Sequence, residues 1–344
     1  MQSISICASG MVTGVGLTAP SSCAAIRCGI DNFQETRFMD NSGDRIIGSS
    51  VPLDPSWRGG AKLVSLFAPA IRECMNALKN EDFERIPLLL CIAEKDRPGR
   101  AEELDDHLLD EVQDELKTRF HERSAVISQG RVGGVKAVKM AMDLFYQSQL
   151  PYCIVAGADS FLVAGTLTAF EKKDRLLTGN NSDGFIPGEA GAAVILCPGN
   201  QKFDEHMDIK GIGFGKEDAF IDSGEPFRAE GLVQAIREAS KNSGMTIDDL
   251  DYRITDASGE QYGFKEAALA MTRTLRKRKE EFDIRLPSDC VAEVGAAIVP
   301  IALGVANAAA KNGYAPGKGV LCHFGNDDGQ RAVMFLRFCN SGGA

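Results

Sequence analysis

Basic residues are in short supply in this 344-residue chain: 38 Lys and Arg stand against 48 Asp and Glu, a formal net charge of −10. Counterion release from a phosphate backbone needs a basic stripe, so nucleic acid is not an expected partner. The one basic cluster, Arg273 to Lys279, runs straight into Glu280, Glu281 and Asp283 and reads as a solvated helix end. Apolar runs of membrane-spanning length are missing. The opening MQSISICASGMV has neither a basic leader nor a long apolar segment, which makes the cytoplasm the expected compartment, with no membrane partner expected. No CxxC pair occurs, and His107, His121, His206 and His323 have no ligand spacing, so no metal is expected.

Hydrophobic residues make up 44% of the chain, enough to bury a large core and to build two halves sharing one interface. The ten cysteines are dispersed, several within apolar runs such as IPLLLCIAE around Cys91, as in a reduced protein rather than a small disulfide scaffold. Apolar Ile4 to Val12 predicts a first strand, TGVGLTAPSS a turn, and Pro20 a helix start. Helix and strand patterns then alternate through KLVSLFAPAIRECMNALK, IPLLLCIAE, SAVIS, VKAVKMAMDLF, YCIVAGAD and EAGAAVILC. From about Asp208 the order begins again: IKGIGFG, AEGLVQAIREASKNSG, YRITDAS, FKEAALAMTRTLRKRK, GAAIVPIALGVA, KGVLCHFG and RAVMFLRF. The duplicated order predicts two halves, 1–205 and 206–344, of sheets covered by helices, with VKAVKMAMDLF and GAAIVPIALGVA at equivalent buried places.

The opening ISICASGMVTGVGLTAPSSCAAIRCGIDNF, the strand YCIVAGADSF, the stretch DRLLTGNNSDGFIPGEAGAAVIL and the ending HFGNDDGQRAVMFLRF together resemble the β-ketoacyl synthases of the thiolase superfamily. Asp183, Gly184, Phe185, Gly188 and Glu189 fall on the family's long signature. The resemblance spans nearly the whole chain and implies an α/β, thiolase-like five-layered αβαβα fold with two pseudo-symmetric halves. It also implies a homodimer joined through the strand ahead of the nucleophile helix, here SAVIS.

Condensation in that family needs a thiolate at a helix N-terminus, where free amides and the dipole lower its pKa, together with two imidazoles or an imidazole and an amide. The resemblance puts the nucleophile slot at Gly130, Arg131 and Val132; no Cys, Ser or Thr occurs from Gln129 to Val138. The first histidine slot falls at Ala257 in TDASGEQYG, the second at Ala292 beside Glu293. Three losses at three places predict a chain without the Cys-His-His set, and therefore not a condensing enzyme.

Cys322 with His323, and Cys290 near the second histidine slot, are the alternative thiols for a cysteine-dependent acyltransferase. Neighbours on a strand point to opposite sides, however, which keeps Cys322 from pairing with His323. Glu189 is expected to be a buried carboxylate holding a turn on backbone amides. Asp327 and Asp328 replace glycines of the resembled loop, at the pocket mouth, where they would repel an acidic partner or sit in solvent. The run GVGLTA, Gly14 to Ala19 with Asp31 after it, matches a short dinucleotide pattern, but Pro20 delays the helix and the ketosynthase turn accounts for the same glycines. No cofactor is expected.

The leading expectation is a noncatalytic protein that works by binding other proteins. TAPSSCAAIRCGIDNFQETRFMD and Trp57 to Gly59 resemble thiolase-like proteins encoded with type VI secretion genes, which implies an adaptor or chaperone loading an effector or spike-associated protein. The alternative is an inactive chain-length-factor-like subunit paired with an active β-ketoacyl synthase.

Overall fold

The computed structural model describes residues 3–54, 57–79, 81–199 and 205–340. The first half comprises β1 (Ile4–Val12), α1 (Ala19–Cys28), the hairpin β2 (Gln34–Met39) and β3 (Arg45–Gly48), α2 (Gly59–Ala77), β4 (Leu88–Ile92), α3 (Leu104–Leu116), β5 (Ala125–Ser128), α4 (Gly130–Ser148), β6 (Cys153–Ser160), α5 (Ala164–Glu171) and β7 (Glu189–Pro198). The second comprises β8 (Glu205–Lys216), α6 (Glu230–Ser243), β9 (Tyr252–Thr255), α7 (Gln261–Thr274), β10 (Ile284–Arg285), α8 (Ser288–Val291), α9 (Ile298–Lys311), β11 (Gly319–Gly325) and β12 (Gln330–Asn340).

Strand order states the duplication plainly. One half runs β5-β4-β6-β7-β1 and the other β10-β9-β11-β12-β8. In both, the first three strands pair in parallel and the last two join antiparallel. One detail departs from two separate sheets: β1 pairs antiparallel with β8 over Ile4–Ile6 and Met207–Ile209, so one ten-stranded ladder crosses the seam.

Five layers result. Helices α2 and α3 cover the outer face of the first half through Leu66, Phe67, Ile71, Leu108 and Val112, and α6 and α7 cover the second through Leu232, Ile236, Ala270 and Met271. Helices α4 and α9 fill the middle, where Val135, Val138, Val299 and Ile301 share one core with Ile4, Ile6, Cys322 and Met334. Small residues permit this. A Cβ on Gly134 of α4 would lie 2.5 Å from the Cβ of Val299 on α9, so the two helices touch at backbone range.

Local chemistry sets the helix ends. Thr18 caps α1 in a reciprocal box with Ser21, Pro20 occupies its first turn, and Gly29 closes it at φ 65°. Among the described residues no helix is long and apolar enough to cross a membrane.

Candidate functional site

Helix α4 begins at the centre of the molecule, and its first residues are the predicted nucleophile slot. Gly130 has φ +54°, a left-handed backbone that favours glycine, and the carboxylate tip of Glu94 lies directly over it. The Val132 amide donates to Asn326 Oδ1 at 3.2 Å, while Asn326 Nδ2 donates to the Gln129 carbonyl at 2.9 Å. Asn326, from the turn between β11 and β12, thus clamps the helix start and takes up an amide that would otherwise face an anion.

Arg131 fills the space in front of that helix end. Its guanidinium donates to Glu293 Oε2 at 2.9 Å and Asp327 Oδ1 at 2.6 Å, and lies 3.7 Å from Asp256 Oδ2. The structure therefore brings all three predicted slots together: Asp256 is the neighbour of Ala257, and Glu293 the neighbour of Ala292. They converge on a cation. Ala292 itself is buried at φ 66°, the sharp turn that aims Glu293 inward. Glu293 also accepts from Ser258 Oγ at 2.8 Å and the Gly295 amide at 2.9 Å, and its backbone bonds to Ile186 and Gly188 of the signature stretch.

A second arginine, not anticipated from sequence, extends the cluster. Arg175 donates to both oxygens of Glu260, at 2.7 and 2.8 Å, and to Asp327 Oδ2 at 2.6 Å. Asp327 thus bridges two guanidiniums. It does stand at the cleft with Asp328, its side chain 37% exposed, but it is ion-paired there rather than free in solvent. Burial pushes its carboxyl up, but Arg131 and Arg175 outweigh that and hold it well below the ordinary range. Asp256 goes the other way, raised by burial against the opposing pull of Arg131. Burial disfavours the Arg131 charge, yet Glu293, Asp327 and Asp256 overcome it and hold its pKa well above normal. Arg97 adds a third pairing with Glu94 and with Asp159 at 2.9 Å, its guanidinium 4.2 Å from the Phe161 ring centroid. Nothing in the sequence marks Arg97, Arg175 or Glu260 apart from surface charges. Arg175 and Glu260 are 85 residues apart.

Beside the cluster a cleft of about 460 Å³ remains, walled by Phe161, Phe170, Phe185, Arg97 and Lys173. No cysteine or histidine lines it among the described residues. Its lining mixes both signs of charge with three aromatic rings, and the Arg131 charge is already matched by Glu293 and Asp327, so the walls offer a polar and aromatic surface without a thiol or imidazole.

The alternative thiols lie elsewhere. Cys322 is fully buried in the central layer, and burial pushes its thiol far up. His323, its neighbour on β11, bonds Thr255 Oγ1 through Nδ1 at 3.1 Å on the other side of the strand, and burial with Arg253 and Arg331 lowers its pKa to about 3. The pair does not meet. Cys290 on α8 is 3% exposed, with burial and Asp289 pushing its thiol up to about 11. Glu189 is buried as expected, but it holds more than backbone: it accepts from the Val51 amide at 3.2 Å and Ser160 Oγ at 2.7 Å and pairs with Lys62 at 2.5 Å. Strand pairing also gathers His206, Asp208 and Cys339, which histidine spacing alone did not reveal. Both oxygens of Asp208 are engaged, by Ser5 Oγ and Lys210 Nζ at 2.6 Å each.

No protein-family model matches the chain. Solved structures match it end to end. A chain from the solved complex of a type II polyketide synthase acyl-carrier protein with its ketosynthase is 14% identical, the match covering 98% of this chain and 99% of that one at a TM-score of 0.81. The chain has a β-ketoacyl-synthase-like fold. A chain from the structure of the ishigamide ketosynthase/chain length factor matches at TM-score 0.77, 14% identity and 98% and 99% coverage. A β-ketoacyl synthase from Burkholderia phymatum matches at 0.73, 13% and 99% and 100%. In sequence, a mitochondrial protein of Schizosaccharomyces pombe named for 3-oxoacyl-(acyl-carrier-protein) synthase is 24% identical over 159 residues, 41% of this chain and 37% of its own length.

Proposed function

We propose that this chain is a noncatalytic ketosynthase-like subunit that pairs with an active β-ketoacyl synthase, in the manner of a chain length factor. The observation that carries the reading is Arg131: at the first turn of α4, where condensation needs a thiolate, a guanidinium is locked between Glu293 and Asp327. An arginine paired this way cannot attack a thioester, and the alternative thiols Cys290 and Cys322 are buried and protonated at neutral pH. Solved ketosynthases complexed with chain length factors share the fold over the full chain, and this supports pairing over the secretion-adaptor reading, for which no feature of the site selects a partner.

The pairing surface is β5. It ends the ladder, with β4 on one side and no strand on the other among the described residues, and Ala125, Val126 and Ser128 are half-buried. Its free edge offers unpaired backbone N–H and C=O groups to a partner strand, and its four residues keep that ladder short.

Co-expression with an active ketosynthase, followed by affinity capture and intact mass after incubation with acyl thioesters, tests both parts. A stoichiometric complex lost on Val126→Pro, with acyl adduct on the partner alone, is expected. An adduct on this chain removed by Cys322→Ala or Cys290→Ala would overturn the noncatalytic reading. Failure to hold any ketosynthase while an effector or spike protein co-purifies would overturn the pairing.

A further inference from the structure

We propose that Cys7 and Cys197 form an intramolecular oxidation site, closed to a disulfide by a low-molecular-weight disulfide such as oxidised glutathione. The geometry begins with a bulge. Strand β1 pairs with β7 as Ser5 to Cys197 and Ile6 to Leu196, and then resumes as Ala8 to Ile195, leaving Cys7 as the extra residue. The bulge turns Cys7 toward Cys197, and the two sulfurs lie 2.8 Å apart, within about 0.8 Å of a bond. Both thiols also lie against the same acceptor, the Ser5 carbonyl, at 3.9 and 3.7 Å, so one local feature gathers the pair.

Access is asymmetric. Cys7 is partly exposed and Cys197 buried, which makes Cys7 the thiol that meets a reagent. Its thiolate attacks one sulfur of oxidised glutathione; the reagent's S–S bond breaks, a protein–glutathione bond forms, and one glutathione leaves. Cys197, after losing its proton to solvent, attacks Cys7 Sγ and expels the second glutathione. Two protein thiols are oxidised, and the reagent is reduced to two thiols. The contact with Cys7, together with burial, raises the Cys197 thiol, so the second step is the slower one. Cys74, Cys91, Cys153 and Cys322, fully buried with thiols pushed up, are packing residues by comparison.

The bond would join residues 190 apart in sequence. It would sit beside Ser5, whose hydroxyl donates to Asp208 at 2.6 Å across the seam between β1 and β8. Oxidation would therefore staple the first half next to its junction with the second.

The full-length wild-type protein, incubated with oxidised glutathione, is examined by intact mass, non-reducing peptide mapping and thermal melting. Expected are a loss of two hydrogens, a cross-link between the peptides carrying Cys7 and Cys197, and a melting midpoint higher by several degrees that dithiothreitol reverses. Cys197→Ser should stop at one glutathione on Cys7. Mapping that finds Cys7 and Cys197 free while exposed Cys28 carries glutathione, or that joins a different pair, overturns the proposal, and it needs no variant to fold.

Discussion

Replacing Arg131 by methionine tests the central cluster with little change in volume. Arg131 neutralises Glu293 and Asp256, whose side chains are 3% and 11% exposed, and shares the more exposed Asp327 with Arg175. Two unit charges about 4 Å apart attract by about 4 kcal/mol at an effective dielectric of about 20, and the desolvation already incurred by the carboxylates is not recovered when the cation goes. Asp327 keeps Arg175 and contributes little to the difference. The expected loss is about 3–5 kcal/mol at pH 8. It should shrink on acidification, by the following sign. Burial already raises Asp256. Without Arg131 its folded pKa rises further above the unfolded value, so stability is retained below the unfolded pKa and lost as pH rises through the folded one. Urea denaturation of Arg131→Met at pH 5 and pH 8 measures this, and adding Glu293→Gln should return more than about 1 kcal/mol at pH 8 as positive coupling. A deficit below about 1 kcal/mol at pH 8, or equal deficits at both pH values, would refute a buried, charge-compensated cluster.

Two further perturbations probe the surrounding frame. Buried His323, with its pKa lowered to about 3, stays neutral while an unfolded histidine protonates, so its contribution is present above about pH 6.5 and lost as pH falls toward 3; His323→Asn should flatten the stability profile between pH 7 and pH 4.5 by up to about 2–3 kcal/mol, and an unchanged slope would count against it. Gly134→Ala gains about 1 kcal/mol of helix propensity but drives a methyl group into Val299, at a cost of about 1–3 kcal/mol; thermal melts of the single and Val299→Ala double variants should show the second change partly relieving the first, whereas strict additivity would mean the helices are not in contact.

Much of the architecture is legible in residue order. The apolar strand Ile4–Val12, the capped turn before Cys28 and the repeated alternation after Asp208 are local patterns of hydrophobicity, glycine and proline, and such patterns survive reading one segment at a time. The signature around Glu189 pointed to the fold, and the lack of thiol or hydroxyl from Gln129 to Val138 is plain in the residues themselves. The ion-pair cluster at the head of α4 was not legible. Asp327 reads as an exposed loop residue, and Arg175 and Glu260 as ordinary surface charges.

The sequence by itself determined which segments become strands and helices, their duplicated order, and the absence of a thiol at the head of α4, because each of these depends on neighbours along the chain. Only the tertiary structure decided that Arg131, Arg175, Glu260, Glu293 and Asp327 meet, that Asp327 is held ionised while Asp256 is pushed toward protonation, and that a bulge sets Cys7 against Cys197. Ion pairing and burial act through space between residues as many as 196 positions apart, and no local pattern encodes that distance.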